Sequence, residues 1–212
     1  MNIKLKSDFI DYYDHWFDLD GDIFERMSAG GVNRYKMLTY LKSLKLDVPK
    51  FGLVKKLTLY NTKINKVVVY LNLNSHRGEN KLLLDYKEAL EKYPNKLATE
   101  YIESYNKYSE SMRILQIGNK SISIIYENED DWRSNYGCNV KTKIINIYDG
   151  IYDKIKYPLY AIDFVFDKYN NYYAIDFNIA PGIKGTGVEN ILKPKEVVDK
   201  IKESILYFRR NN

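Results

Sequence analysis

Between residues 161 and 178 apolar and polar positions alternate with period two. Two runs, AIDFVFD and YYAIDFN, flank a polar Asn170-Asn171 pair, and that pattern predicts a β-hairpin. A second hairpin is predicted over 112–125, turned on Gly118-Asn119. Elsewhere the period changes. Met37, Leu38, Leu41 and Leu44 fall at helical spacing, with Asn33 as N-cap and Asp47 and Pro49 ending the helix. Strands are expected near 51–59 and 66–73, then at Leu82-Leu83-Leu84, with a surface helix over 85–93. Lys195–Phe208 predicts a closing amphipathic helix that buries Val197, Val198, Ile201, Ile205 and Leu206. Residues 1–31 carry less pattern: a short aromatic-rich helix over Asp8–Phe17, then Gly30-Gly31. Between them, Asp18-Leu19-Asp20-Gly21-Asp22 reads as a polar turn, because it lacks the remaining ligand spacing and terminal glutamate of a calcium loop. The sum is an α+β chain.

Its 212 residues suffice for one domain, or one built of two lobes, with a substantial core. Hydrophobic content of 45% with 29% charged residues is that of an ordinary globular protein. No run approaches the roughly 18 apolar residues of a membrane span. The charged start is not expected to be a secretory signal. The single Cys138 forms no internal disulfide, and with no histidine near it in sequence it is a poor nucleophile; a cytoplasmic protein is expected. A net charge of +5, spread over scattered lysines, gives little support for nucleic-acid binding. The 21 tyrosines accompany abundant Asn, Lys and Ile, a composition that suggests a low-GC bacterium or its phage rather than a base-stacking surface.

The first hairpin carries the candidate chemistry. Asp176 and Asn178 share a face of one strand, and Asp163 lies on the strand paired with it. Three oxygen-bearing side chains can converge there. A few hard oxygens suit Mg²⁺, which keeps waters and takes further ligands from phosphates. Acidic residues alternating with apolar ones also mark the solvated face of an antiparallel sheet, so the hairpin alone leaves both readings open.

The continuation narrows them. An acidic residue followed about a dozen positions later by acidic-x-Asn, and then by a Pro-Gly loop (here Pro181-Gly182), resembles the metal-binding end of the ATP-grasp superfamily. Asp176 stands where glutamate is commoner. Thr99-Glu100-Tyr101-Ile102-Glu103 resembles that family's hinge, and Asp131-Trp132-Arg133-Ser134-Asn135 resembles its Arg-Ser-Asn segment. The branch most resembled is that of the carboxylate–amine ligases that add glutamate, the ribosomal-protein glutamate ligases among them. Asn33-Arg34 resembles the entry segment, with Arg34 in a lysine's place. Asn74–Asn80, between two strands, resembles the phosphate-covering hairpin, where backbone N–H groups can cradle an anion.

The resemblance implies two α+β lobes with a nucleotide cleft between them: an extension over 1–31, a reduced N-terminal lobe over 32–98, and a C-terminal lobe over 99–212. It implies ATP and Mg²⁺ as cofactors and joining of a carboxylate to an amine through an acyl phosphate. Asp163, Asp176 and Asn178 would hold metal, and Arg133 with Asn135 would serve catalysis. Glu100, Tyr101, Ile102, Glu103, Arg113 and Arg77 would bind nucleotide. Two departures stand out. Tyr70 falls where the family's phosphate lysine is expected, leaving Lys66, Lys81 or Arg77 as substitutes. No α/β substrate domain precedes the hinge lobes, which implies a macromolecular substrate or a partner subunit that presents it. The competing reading is a degenerate module that binds nucleotide or a partner without ligation; a kinase-like phosphoryl transferase is a third.

Overall fold

A computed structural model describes residues 33–59, 64–73, 80–104, 108–137, 139–150, 152, 154–179, 181–183 and 185–210. The expected helix at 8–17, the 18–22 turn, His76, Arg77 and Cys138 lie outside them. Two antiparallel sheets form the frame. In the first, β1 (Phe51–Leu53), β2 (Lys66–Tyr70), β3 (Lys81–Asp85) and β4 (Leu97–Glu100) take the order β1-β4-β2-β3. In the second, β5 (Ser109–Ile117), β6 (Lys120–Asn128), β7 (Lys141–Asp149), β8 (Leu159–Phe166) and β9 (Tyr172–Asn178) take the order β7-β6-β5-β8-β9. Helix α1 covers Arg34–Ser43, α2 Tyr86–Lys92 and α3 Pro194–Arg210. The α+β architecture expected from the pattern is the one observed.

Several boundaries differ from expectation. The strand expected over 51–59 stops at Leu53 and tightens into a 3₁₀ helix over Val54–Leu59, whose Val54 and Leu57 are buried under β2. The second expected strand ends at Tyr70 rather than residue 73. The hinge strand ends at Glu100, so residues 101–104 are irregular. On α3 the buried face is Val197, Ile201 and Ile205, while Leu206 is 50% exposed. Leu206 sits one residue beyond Ile205, about 100° round the helix, and so points away from the core. Strand β7 was not foreseen.

Each sheet buries a face for its own reason. On the first, Val67 and Val69 pack with Ala98, Ala89 and the 3₁₀ segment, while Val68, Tyr70 and Leu97 face Tyr101 and Trp132 across the cleft. On the second, α3 covers Leu115, Ile117, Ile122 and Ile124. The opposite face, with Ile162, Phe164, Ala174 and Phe177, takes Met37, Leu38 and Leu41 of α1. Helix α1 therefore precedes the first sheet in the chain yet packs on the second. It also covers an edge. The Phe177 amide points at Met37 Sδ (3.3 Å) and the Ala174 amide donates to the Asp47 carbonyl (2.8 Å), so β9 does not present a bare ladder.

The two hairpins turn on residues that tolerate φ > 0. Asn170 (φ 61°) closes the β8–β9 loop, where Asp167 Oδ1 accepts from the amides of Tyr169 and Asn171. Gly118 (φ 58°) closes β5–β6 beneath α3, and a Cβ there would run into the Lys200 backbone carbonyl. Gly118→Ala should therefore cost about 1–3 kcal/mol, read as a fall in Tm, whereas Gly137→Ala, with nothing within 4 Å of the added carbon, should cost only its backbone strain.

Candidate functional site

A β-bulge sets the site. From the turn, β8 and β9 pair as Phe166↔Tyr172, Val165↔Tyr173 and Phe164↔Ala174. The next pair is Asp163↔Asp176, with Ile175 inserted as the extra residue. In an unbroken ladder Asp163 would face Ile175, and Asp176 would fall on the face packed by α1. The bulge turns Asp176 to stand opposite Asp163. Asn178, two residues on, is exposed on the same side of the strand.

Both carboxylates are held by arginines. Arg113 on β5 grips Asp163 with a bidentate fork, Nε–Oδ1 at 2.7 Å and Nη2–Oδ2 at 2.8 Å. The Arg113 guanidinium lies 5.3 Å from the Tyr126 ring centre. Burial works against its charge, but Asp163 outweighs burial and raises its pKa. Arg34, at the start of α1 and buried, donates to Asp176 Oδ1 at 2.8 Å and to the Ile175 carbonyl at 3.2 Å. Burial pushes the Asp176 carboxyl up, yet Arg34, then Lys81 and Arg113, hold it below the usual carboxylate range.

The first sheet contributes from across the cleft. Tyr70 is 5% exposed, its hydroxyl 3.4 Å from Thr99 Oγ1, and its ring lies under two cations. Arg34 is 5.4 Å and Lys81 Nζ 5.6 Å from the ring centre. Burial, then repulsion from Arg34, pushes the Lys81 ammonium down to about 8, against the pull of Asp176 and Asp163. Arg133, after β6, forks onto Asp131 (2.8 and 2.7 Å) and stacks on Tyr136 at 3.3 Å. It lies close enough to depress Lys81 further. Asn128, buried, pins this loop: its Nδ2 donates to the carbonyls of Arg133 and Tyr136, and its Oδ1 accepts from the amides of Asp130 and Asp131. Asn135 is exposed on the same loop.

Glu100, Tyr101, Ile102 and Glu103 line one cavity of about 300 Å³ with Val48, Lys50, Asp167 and Tyr173. The Glu100 carboxylate is paired there with Lys50 Nζ at 3.2 Å. The structure thus brings Asp163, Asp176, Arg113, Arg34, Lys81 and Arg133 together, while the hinge cavity is lined by none of these six. Arg77 lies outside the described residues. Sequence reasoning missed the Arg113–Asp163 and Arg34–Asp176 pairs and the anchoring by Asn128. A period-two pattern shows which residues share a face, but not which cation from a distant element reaches them.

The donor chemistry fits the groups implied. Two carboxylates and an amide oxygen are hard ligands of the sort Mg²⁺ takes, in the number that leaves room for water and phosphate. No cluster of three or more His, Cys, Asp or Glu that could hold a metal occurs among the described residues. The cations suit a polyphosphate.

No family model matches the chain, and no curated protein matches it. Solved structures do. The ATP-grasp ligase PsnB, solved with a phosphomimetic variant of its minimal precursor, Mg and ADP, superposes with a TM-score of 0.56 at 12% identity, over 83% of this chain and 60% of PsnB. The D-alanine–D-alanine ligase of Bacillus anthracis, complexed with ATP, gives 0.51 at 13% identity, over 85% of this chain and 69% of that one. The Coxiella burnetii ligase gives 0.51 at 12%, over 87% and 60%. The chain has the ATP-grasp fold. It spans about 60% of the length of PsnB. No described helix is long and apolar enough to cross a membrane.

The lowered value of Lys81 carries a sign. The folded state gives up this proton near pH 8 and the unfolded chain at 10.5, so folding stability contributed here should rise with pH across that window. Tm measured from pH 7.5 to 10.5 should rise for the parent relative to Lys81→Met, which lacks the titration.

Proposed function

We propose that the chain is an ATP-dependent carboxylate–amine ligase acting on a macromolecular or partner-presented substrate. One observation supports this most: Asp163 and Asp176 oppose each other on one sheet face, ringed by Arg34, Lys81, Arg113 and Arg133, in a fold whose solved examples include ligases crystallised with ATP or with Mg and ADP. PsnB is solved with a precursor peptide, which supports a peptide-borne carboxylate here. On this reading residues 1–31 are an extension, 32–98 the reduced lobe and 99–212 the lobe with the metal site, in a cytoplasmic protein.

Asp163, Asp176 and Asn178 would hold Mg²⁺, which neutralises and orients the phosphates when bound. The hinge residues Glu100–Glu103 would frame the adenine. A substrate carboxylate oxygen attacks the γ-phosphorus and ADP departs with the bridging oxygen. The amine nitrogen then bonds to the acyl carbon of the resulting acyl phosphate, and inorganic phosphate leaves with the C–O electron pair and a proton. Phosphoryl transfer depends on positioning and on charge neutralisation. Arg133, whose fork is held by Asp131 on the Asn128-pinned loop, would pass that fork to the transferring group when phosphate is bound, and Asn135 lies on the same loop. Arg113 orients Asp163 and Arg34 orients Asp176.

The second reading, a module that binds nucleotide without ligation, draws on the same pairs. Each carboxylate already has a guanidinium on it, and Tyr70 stands where a lysine is expected.

Mg–ATP in excess should raise Tm by mass action, about 2.7 kcal/mol of stabilisation at a hundred times Kd, and Asp176→Ala should shrink that ligand-induced shift. No shift at millimolar Mg–ATP would remove nucleotide from the picture. Arg133→Ala should leave most of the shift intact while lowering acceptor-dependent ADP release on the order of 10²- to 10³-fold. Arg133→Lys should recover only part of it, since a point charge does not reproduce the fork. Turnover by Arg133→Ala at the parental rate would favour the non-ligase reading.

A further inference from the structure

We infer that Lys81 is the phosphate-binding cation of this cleft, carried on the strand opposite Tyr70 and held over the Tyr70 ring beside Arg34. The inference rests on the nucleotide-binding reading above.

Three residues were open as substitutes for the missing lysine, and the structure separates two of them. Lys66 begins β2 and is exposed. It lies four residues from Tyr70, about 13 Å along the strand, away from Asp163 and Asp176. Lys81 is the direct cross-strand partner of Tyr70. Partners opposite one another in an antiparallel pair point to the same face. A cation on β3 at this position therefore enters the cleft beside the place where one at the end of β2 would. The third, Arg77, lies outside the described residues.

Tyr70 has a use in this arrangement. Arg34 and Lys81 both carry their charge over its ring, 5.4 and 5.6 Å from the ring centre. Two cations that repel each other are thus kept near one another by the quadrupole of one shared ring. Replacing the aromatic by a lysine would put a third positive charge beside these two. Among the described residues the ammonium has no carboxylate in direct contact. Arg113 and Arg34 take Asp163 and Asp176 by direct contact, and Arg133 takes Asp131. Lys81 feels Asp176 and Asp163 only through space, and burial and Arg34 outweigh them. A desolvated ammonium beside a second cation is a place where an anion gains most, because it relieves both the repulsion and the lost hydration. A phosphate oxygen suits such a compact charge.

The test compares Mg–ATP, Mg–ADP and adenosine on the intact chain, by calorimetric titration and by ligand-induced change in Tm. Lys81→Met should bind Mg–ATP on the order of 10- to 100-fold more weakly, with adenosine binding unchanged, because only the phosphate chain loses a partner. Lys81→Arg should keep most of the affinity. The exchange Tyr70→Lys with Lys81→Tyr, which moves the cation across the strand pair, should recover at least part of it. The ligand-free Tm of Lys81→Met should not fall, since the side chain removed is a desolvated charge. Equal Mg–ATP affinity in Lys81→Met and parent would overturn the inference while leaving the nucleotide reading standing. Equal loss of adenosine and ATP binding would overturn it too, by showing a general defect of the cleft. A parent chain that binds none of the three ligands would overturn both.

Discussion

Arg34 is the point at which the two sheets are tied together. Its amide donates to the Leu73 carbonyl just after β2 (3.1 Å), and its guanidinium lies over the Tyr70 ring of the first sheet. The same guanidinium reaches Asp176 and the Ile175 carbonyl on the second. Burying an arginine is costly unless its donors are met and its charge is paired. Arg34 pairs its charge only when α1 lies along β9, and meets the Tyr70 ring only when β2 stands across the cleft. Breaking such a pair from one side leaves an uncompensated charge indoors, so the relative placement of the sheets is strongly specified by this one side chain.

The bulge at Ile175 and the arginine depend on each other. The extra residue turns Asp176 out of the α1 core and toward Asp163, and it leaves the Ile175 carbonyl directed at Arg34 Nη1. With an unbroken ladder Asp176 would turn to the face that holds Ile162, Phe164 and Ala174, against Met37, Leu38 and Leu41 of α1. The cost of interrupting the ladder is thus repaid by a paired guanidinium and an accessible carboxylate. Bulges next to functional sites commonly re-aim a side chain in this way.

How much of this was legible in the sequence follows from the range of each interaction. The β5–β6 and β8–β9 hairpins, α1 with its Asn33 cap and the buried stripe of α3 are local patterns, and they were readable. The shared face of Asp176 and Asn178 is also local. The facing of Asp163 by Asp176 is not, because it hangs on one inserted residue that period-two counting does not reveal. Strand β7 was missed because KTKIINIYD is exposed on both faces along most of its length, so no buried side imposes an alternation. The 3₁₀ segment was read as strand because Val54, Leu57 and Leu59 belong equally to either period over so short a run. The arginine pairs join residues 50 and 142 positions apart, and only the folded topology brings them together.

The cleft's charge balance orders events on the proposed reading. Arg34, Lys81, Arg113 and Arg133 face Asp131, Asp163 and Asp176, so among the described residues here cations outnumber carboxylates before any ligand arrives. A divalent ion alone would add charge of the sign already in excess, and it would compete with two guanidiniums for the same oxygens. The ion pairs that hold Asp163 and Asp176 are short and partly desolvated, where Coulomb terms are screened least. A triphosphate changes this balance: it is an anion the freed donors can take, so the carboxylates can pass to the metal while no guanidinium is left unpaired. The arginines then act as keepers of the carboxylates until phosphate is present, and the metal and the nucleotide are favoured together rather than one by one.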